Sequence, residues 1–262
     1  MNPSIDLILL IVAYHPSQQE VDELGQCLDQ LPDQIRYAII ANDYQSCEPI
    51  NQLSANSLKF IKSPFNLGYG RAVNLLANSF ASLPAYIAVL NTDLTWAPQT
   101  FSDIIRWLTN NKDVCLAVPQ IINQNGQVQK LCKRNPTLLG LFSRRFFPEN
   151  LKPKWLQKYD NWYCMNDHNY ASIFESSYLS GCCMIIDSSI FIKSGGFDER
   201  YFLYLEDADL TRKLSSFGRC VHFPYSSVTH KWGRGNHKDL RLSIVNIISA
   251  CKYFLKWGLT LW

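Results

Sequence analysis

The stretch Tyr86-Ile87-Ala88-Val89-Leu90-Asn91-Thr92-Asp93 decides the fold. Five apolar residues of strand length run without alternation and then stop at three polar ones. An unbroken apolar run marks a strand covered on both faces, as in a parallel sheet between helices. Similar runs lie on either side, at Leu7–Ala13, Tyr37–Ala41, Leu58–Ile61 and Cys115–Val118. Between them, Gln19–Leu31, Gly70–Ser82 and Pro98–Asn110 read as helices. In the third, Phe101, Ile104, Ile105 and Leu108 keep helical spacing, and Pro98 falls near a first turn, where its missing N–H costs nothing. Strands alternating with helices make βαβ units, so we expect an α/β chain with a mostly parallel central sheet flanked by helices.

The bulk composition fits that expectation. With 262 residues, 47% hydrophobic and 18% charged, the chain is a packed globular protein of one large domain with room for a small appendage. A net charge of +3 gives no argument for nucleic acid, and no nucleic-acid partner is expected. Nine cysteines are an odd number without a CxxC pair, and Cys27, Cys115, Cys182, Cys183 and Cys251 sit in apolar stretches. That pattern suits reduced thiols in a cytoplasmic protein and argues against a zinc site. The apolar start, Ile5 to Val12, is interrupted by Asp6 and reads as a buried first strand rather than a signal peptide.

Two segments break the rhythm. Asn123 to Ser177 carries eight Lys or Arg against the single acid Glu149 between Lys130 and Lys158, interleaved with Phe142, Phe146, Phe147 and Trp155. A solvated loop has no need of so many aromatics, so this is expected to be an insertion over a binding face. Regularity returns with a strand at Gly181–Ile186 and a helix at Ser188–Lys193. From Leu240 to Trp262, residues Leu240, Ile244, Ile247, Ile248, Cys251, Phe254 and Leu255 form one apolar helical face, with Arg241, Lys252 and Lys256 on or beside the other. A helix packed on the domain and a helix lying in a membrane interface both explain this pattern.

Four stretches carry candidate chemistry. Asn91 and Asp93 end an apolar strand at the edge where open α/β sheets bind ligands. A carboxylate there can hold a hard divalent cation that neutralises a diphosphate; alternatively both residues cap the turn or helix that follows. Glu206, Asp207 and Asp209, followed by Arg212, are three acids within four residues. They repel one another unless metal, bases or solvent intervene, and at a helix N-terminus they are also favoured by the macrodipole. His230 is followed by Lys231, Gly233, Arg234 and Gly235, a composition suited to a loop closing on phosphates. In Asn66–Asn74, Gly68 and Gly70 allow a ligand close to backbone N–H groups, though the spacing is not that of a dinucleotide fingerprint.

Taken in order, Ile8–Pro16, Asn66–Asn74, Leu90–Asp93, Ser180-Gly181, Gly195–Phe202, Glu206–Arg212 and the His230 loop resemble glycosyltransferase family 2, the inverting transferases of the GT-A fold. The set is similar in particular to bacterial rhamnosyltransferases that build O-antigens and related polysaccharides. The resemblance implies a Rossmann-like GT-A domain over residues 1–239, with a nucleotide-sugar-binding half (1–118) and an acceptor-binding and catalytic half (119–239), followed by an amphipathic helix over 240–262. It implies that Asp207, paired with Glu206, is the catalytic base, and that Asp93 and His230 hold a divalent metal, Mg or Mn. Donor binding falls to Ala13, Tyr14, Asn42, Asp43, Asn66, Gly68, Arg71, Asn91 and Asp93; the family's usual Asp-Asn reads Asn42-Asp43 here. Gly181, Asp209, Arg212, Lys231 and Arg234 are expected to serve the acceptor or the phosphates.

The implied partners are a dTDP- or UDP-linked sugar, with dTDP-rhamnose first, and a saccharide acceptor on a polyprenyl diphosphate. That acceptor places the chain at the cytoplasmic face of the inner membrane, as a peripheral protein. Transfer of galactofuranose, glucose or N-acetylglucosamine on the same fold is the nearest alternative. A nucleotidyltransferase, or a non-catalytic nucleotide-sugar or glycan-binding module, stands further off.

Overall fold

The first part of the chain forms β1 (Leu7–Ala13), α1 (Gln18–Leu28), β2 (Ile35–Ala41), β3 (Phe60–Lys62), α2 (Tyr69–Asn78), β4 (Tyr86–Asn91), β5 (Leu94–Trp96), α3 (Thr100–Asn110) and β6 (Val114–Ile122). The remainder adds α4 (Leu138–Phe146), α5 (Lys154–Tyr163), β7 (Phe174–Glu175), β8 (Cys183–Asp187), α6 (Ser188–Lys193), α7 (Glu206–Leu214), β9 (Arg219–His230) and α8 (Leu240–Trp257). This computed structural model describes residues 4–231 and 240–262.

Among the described residues, nine strands make one sheet in the order β3-β2-β1-β4-β8-β6-β9-β5, with β7 also on β9. Strands β1 to β4 pair in parallel, and β6 pairs in parallel with β9. Strand β8 enters antiparallel between β4 and β6, while β5 and β7 run antiparallel to β9. Thus β1–β4, β6 and β9 share one direction, and β5, β7 and β8 oppose it. The reversed β8 matters for the site: Leu90 faces Cys183 across the ladder, so the chain leading into β8 arrives where β4 ends.

All seven residues of β1 and all of Tyr86–Leu90 in β4 are buried. Each fully buried Leu, Ile or Val contributes about 1.5–3 kcal/mol relative to exposure, so these central strands supply much of the drive to fold. Helix α1 starts with a capping box, in which the Ser17 hydroxyl accepts from the Glu20 N–H and the Glu20 carboxylate accepts from the Ser17 N–H. Helix α3 has no side-chain cap, so Asp93 is free of that duty. Helix α7 begins after two consecutive non-glycine residues at positive φ, Tyr204 (68°) and Leu205 (65°). Such backbone costs on the order of 1–3 kcal/mol per residue and persists only where the surroundings enforce it; Leu205 is buried.

The basic insertion becomes α4 and α5, and part of its charge is spent internally. Lys152 makes a buried 2.6 Å ion pair with Asp160, and Arg134 pairs with Asp167 at 3.0 Å. Helix α8 packs on the domain through Ser249 and Tyr253, which are buried, and through Lys256 and Trp257. Its apolar face, including Leu240, Ile244, Ile247 and Ile248, stays exposed. The opposite side packs: Tyr253, with Ala250, Phe254 and Trp257, joins a cluster of Tyr178, Tyr201, Leu205 and Ala208, while the fully buried Asp209 carboxylate of α7 takes Lys256 at 2.7 Å and the Trp257 Nε1–H at 2.7 Å. No helix among the described residues is long and apolar enough to cross a membrane. All nine thiols are free.

Candidate functional site

A cavity of about 570 Å³ opens at the carboxyl edge of β1 and β4. Tyr14, Asn42, Asn66, Gly68, Asn91 and Asp93 line it, together with Thr92, Tyr69, Phe202 and the first turns of α8. Its size falls within the range of roughly 300–1,000 Å³ usual for small-molecule sites.

Asp93 closes the two-residue turn between β4 and β5, and its backbone carbonyl accepts from Lys231 N–H (3.0 Å), which ties this turn to the end of β9. One carboxylate oxygen, Oδ2, lies 3.1 Å from His230 Nε2. The other, Oδ1, is buried and has no hydrogen-bond partner. Gln129 Nε2 donates to the His230 carbonyl (3.0 Å), which turns Gln129 Oε1 toward His230 Nδ1 at 3.3 Å. With that ring nitrogen donating, Nε2 is the ring atom turned toward the carboxylate. An imidazole nitrogen beside a carboxylate with an orphaned oxygen fits a cation held by Asp93 and His230. Among the described residues no third His, Cys, Asp or Glu joins them. A hard divalent ion is commonly held by one or two protein groups together with substrate phosphates and water.

The donor-side residues divide. Asn42 is buried and builds the wall: its Oδ1 accepts from Leu67 N–H (2.8 Å) and its Nδ2 donates to Asn66 Oδ1 (3.0 Å), which also accepts from Gly68 N–H (2.9 Å). Gly68 has φ +80°, and a Cβ there would sit 2.3 Å from the Phe202 carbonyl oxygen, so only glycine fits. Tyr14 is exposed at the cavity, where its ring can stack on a planar base. Ala13 is buried in β1 and contributes its carbonyl, which accepts from Asn42 N–H. Asp43, at positive φ, pairs with His15 at 3.2 Å, and Glu48 approaches the same ring at 2.6 Å. Burial opposes charge on His15, but the hydrogen bonds it donates to Glu48 and Asp43 prevail and raise its pKa. Arg71 faces away from the cavity and pairs with Glu199 at 3.6 Å.

Glu206 and Asp207 occupy the first turn of α7, behind the cavity wall. The linkage runs through Tyr69, whose hydroxyl donates to the Gly181 carbonyl (2.9 Å), while Gly181 N–H donates to Asp207 Oδ2 (3.0 Å). Asp207 Oδ1 also accepts from Ala208 N–H (2.9 Å). It therefore does more than cap its own helix: one oxygen belongs to α7 and the other to the segment entering β8. A Cβ on Gly181 would meet the Asp207 Cβ at 3.1 Å, so glycine here permits the approach. Burial and the charge of Asp207 push the Glu206 carboxyl up to about 8, and its Oε2 has no partner. Burial also raises Asp207, opposed by Lys133, the two backbone N–H donors and the Tyr178 hydroxyl. The environments pull the pair apart, with the proton on Glu206.

The structure does not bring Asp209 and Arg212 to this place. Two residues along a helix turn the side chain by about 200°, and Asp209 faces α8 instead of Asp207's surroundings. Arg212 stacks under Trp257, 4.5 Å from the ring centroid, and donates to the Tyr253 hydroxyl. Both support α8 rather than a phosphate. Lys231 pairs with Glu23 of α1. Arg234 lies outside the described residues.

Several site residues were not read from the sequence. Tyr69, Phe202, Leu203, Arg241, Leu242 and Val245 line the cavity, and Lys133 and Tyr178 favour the charged form of Asp207. The second glycine of Asn66–Asn74 gave a partial signal for Tyr69; nothing local marked Lys133 or Arg241.

Comparison with known proteins follows the same geometry. The profile described as Glycosyl transferase family 2 matches residues 11–191. An N-acetylglucosaminyl-diphospho-decaprenol L-rhamnosyltransferase of Mycobacterium tuberculosis, found in two strains, is 26% identical over 197 residues. The match covers 70% of this chain and 62% of that relative, so the chain spans less than two thirds of its length. Among solved structures, GalNAc-T7 with UDP, GalNAc and Mn2+ superposes with a TM-score of 0.68 at 13% identity, over 97% of this chain and 48% of the other. The mannosyltransferase PcManGT from Pyrobaculum calidifontis, in complex with GDP-Man and Mn2+, gives 0.63 at 11% identity, over 97% and 64%. S. aureus TarS 1-349 in complex with UDP-GlcNAc gives 0.58 at 14% identity, over 89% and 60%. At these identities the superpositions establish the fold, GT-A.

Proposed function

The chain belongs to glycosyl transferase family 2, and from that premise we propose that it is an inverting transferase that moves a sugar, L-rhamnose from dTDP-rhamnose first, onto a polyprenyl-diphosphate-linked saccharide. The observation that carries the reading is the unpartnered buried Oδ1 of Asp93 at the cavity edge, beside His230. Asp93 and His230 would hold a divalent cation, Mg or Mn, which would supply positive charge against the donor diphosphate. Tyr14 offers a stacking surface to the base, and the Asn42–Asn66 pair fixes the wall beside it. Asp207 takes the proton from an acceptor hydroxyl as that oxygen bonds to the anomeric carbon. The carbon–oxygen bond to the diphosphate breaks with its electron pair on the leaving nucleotide, and the single displacement inverts the centre. The name of the mycobacterial relative supports both the rhamnosyl donor and the lipid-linked acceptor.

The division into a nucleotide-sugar half (1–118) and an acceptor half (119–239) is part of this proposal, with one amendment. Phe202, Leu203 and Arg241 also line the donor cavity, so the later segments share donor binding.

A membrane-facing side fits the same acceptor. Phe142, Phe146 and Trp155 are exposed on the insertion, as are Ile244 and Ile248 on α8. The two regions join where Leu138 N–H donates to the Thr260 carbonyl (2.8 Å). Lys154 and Lys158 are exposed beside them, and Leu240–Trp262 contains no acid. Apolar and basic groups together suit an anionic lipid surface, so peripheral attachment at the cytoplasmic face is part of the proposal, in service of O-antigen or related polysaccharide synthesis. Nucleoside diphosphate release is the test: it should appear with dTDP-rhamnose, a lipid-linked saccharide and Mg or Mn. Absence of release over dTDP-, UDP- and GDP-sugars overturns the reading. Flotation should carry the protein with anionic vesicles and leave it behind with zwitterionic ones.

A further inference from the structure

Strands β1 and β2 end in register, Ala13 beside Ala41, so the loops that follow them leave the sheet side by side at its carboxyl edge. His15 in the first loop meets both carboxylates of the second. Its Nδ1 lies 2.6 Å from Glu48 Oε1 and its Nε2 lies 3.2 Å from Asp43 Oδ2. An ionised carboxylate can only accept, so both ring nitrogens donate and the ring is an imidazolium. Glu48 makes no side-chain cap to the short helix Pro49–Leu53, and α1 is capped by Ser17 and Glu20, so the pairing is not a by-product of helix capping. Glu48 Oε1 also accepts from the Gln45 N–H (3.2 Å), which draws the second loop in against the same ring. His15 (46°) and Asp43 (65°) are non-glycine residues at positive φ, backbone that persists only where its surroundings enforce it.

This bridge stands behind the cavity wall. The Tyr14 ring rests on the His15 ring, with centroids 4.5 Å apart and planes tilted by 55°, and Tyr14 lines the cavity. Asn42, which also lines it, immediately precedes Asp43. We infer that His15 is a positioning residue for a nucleoside diphosphate: as an imidazolium bridging Asp43 and Glu48 it ties the two loops together, holds the Tyr14 ring for the base, and releases that hold when it gives up its proton. The inference rests on the nucleotide-sugar reading of the cavity, with Tyr14 against the base. It also accounts for the order Asn42-Asp43. The carboxylate is committed to His15, while the amide before it both accepts from Leu67 N–H and donates to Asn66. A neutral imidazole has one N–H, so on deprotonation one of the two carboxylates would face a ring lone pair and be released. Glu48 and Asp43 are the charged groups facing the ring, the Tyr14 phenol lies against its side, and the nearby Glu20 carboxylate of α1 is taken up by Ser17. Burial opposes the charge and the two hydrogen-bonded carboxylates outweigh it, so the bridge is complete below the raised midpoint and is lost as pH rises through it.

The test uses the whole protein and reads the ring and the ligand separately. With ¹³C-labelled histidine, the His15 resonance, assigned by its loss in His15→Gln, is titrated in wild type, Glu48→Gln and Asp43→Asn. Calorimetry then measures binding of dTDP, UDP and GDP with Mg to the same proteins and to His15→Gln, from about pH 6 to about pH 9, across the charge change of a histidine. The His15 midpoint should fall by about one pH unit in Glu48→Gln, as expected for loss of a nearby opposite charge. It should fall less in Asp43→Asn, whose contact is longer. Wild type should bind nucleotide about threefold to tenfold more tightly than His15→Gln at the acid end, the scale of two partly exposed charge pairs, and equally at the alkaline end. Dividing the two affinities at each pH removes the titration of the ligand's own phosphate. In Glu48→Gln the loss of affinity should move to lower pH together with the ring midpoint, a readout that stands even where His15→Gln folds poorly. Equal affinity of wild type and His15→Gln throughout, with no displacement in Glu48→Gln, overturns the inference. So does a difference that stays constant with pH, which would give His15 a role independent of its charge. Both results leave the donor reading standing, whereas a wild type that binds none of the three nucleotides defeats that reading and the inference with it.

Discussion

Asp93 lines the cavity at the carboxyl edge of the sheet, Asp207 sits in the first turn of α7 behind its wall, and their surroundings differ in kind. Asp93 lies in the turn between β4 and β5, shares one oxygen with an imidazole and leaves the other with nothing. Asp207 opens a helix, and both its oxygens receive backbone N–H donors, from Gly181 and Ala208. An under-satisfied carboxylate beside histidine is suited to hold a cation. A carboxylate supported by two fixed backbone donors, beside a neighbour whose own carboxyl is pushed up to about 8, is suited to take up one proton. The difference assigns roles that residue type alone leaves equal.

The most severe way to break the comparison is Asp207→Asn, which keeps the shape and one acceptor oxygen but removes the base. Transfer should fall by about 10²–10⁴-fold, with an unchanged circular dichroism spectrum; near-wild-type turnover would free Asp207 from the role. Asp93→Ala should cost about 10²–10³-fold, the scale of losing one preorganised electrostatic contact. Its residual rate should no longer respond to added Mg or Mn, and a retained metal response would place the cation elsewhere.

Glu206 sharpens the contrast through pH. Its carboxyl is raised from 4.5 to about 8, so the folded state holds this proton more tightly than the unfolded chain. That contribution to stability is complete below about 4.5 and is lost as pH rises through about 8. The melting temperature of wild type should therefore drop between pH 5 and pH 8.5 by more than that of Glu206→Gln. Equal drops would mean that Glu206 is charged in the fold. The smallest effect is expected from Tyr69→Phe, which removes the donor to the Gly181 carbonyl. It should cost about 0.5–1.5 kcal/mol of stability in a denaturant titration, and a larger kcat loss than that would give Tyr69 a closer part in the chemistry.

The strands were legible because the signal was local. Leu7–Ala13 is the same run in sequence and structure, and Tyr86–Leu90 differs by one residue at its end. Boundaries drifted where capping or pairing decides them: the expected Leu58–Ile61 is β3 at Phe60–Lys62, and Gly70–Ser82 is α2 at Tyr69–Asn78. The family motif order likewise located the Asp93 and Glu206-Asp207 stretches. It did not separate Asn42, which hydrogen-bonds the cavity wall, from Asp43, which turns to His15 through positive φ. Nor did it reveal that α8 packs the side carrying Tyr253, Lys256 and Trp257. Amphipathicity ranks faces by hydrophobicity, while the buried Asp209 carboxylate demands a lysine and an indole N–H.

By itself, the sequence determined the α/β class, the placement of carboxylates at strand and helix ends, and the family, because each is written in short-range pattern. Tertiary structure alone decided which carboxylate meets which partner. His230 lies 137 residues after Asp93, Gly181 lies 26 before Asp207 and Lys133 lies 74 before it. Only strand pairing and the reversed β8 bring such separations within hydrogen-bonding or electrostatic range. The distinction between holding a cation and accepting a proton arises there, since it depends on the donors, charges and solvent around a carboxylate rather than on the carboxylate itself.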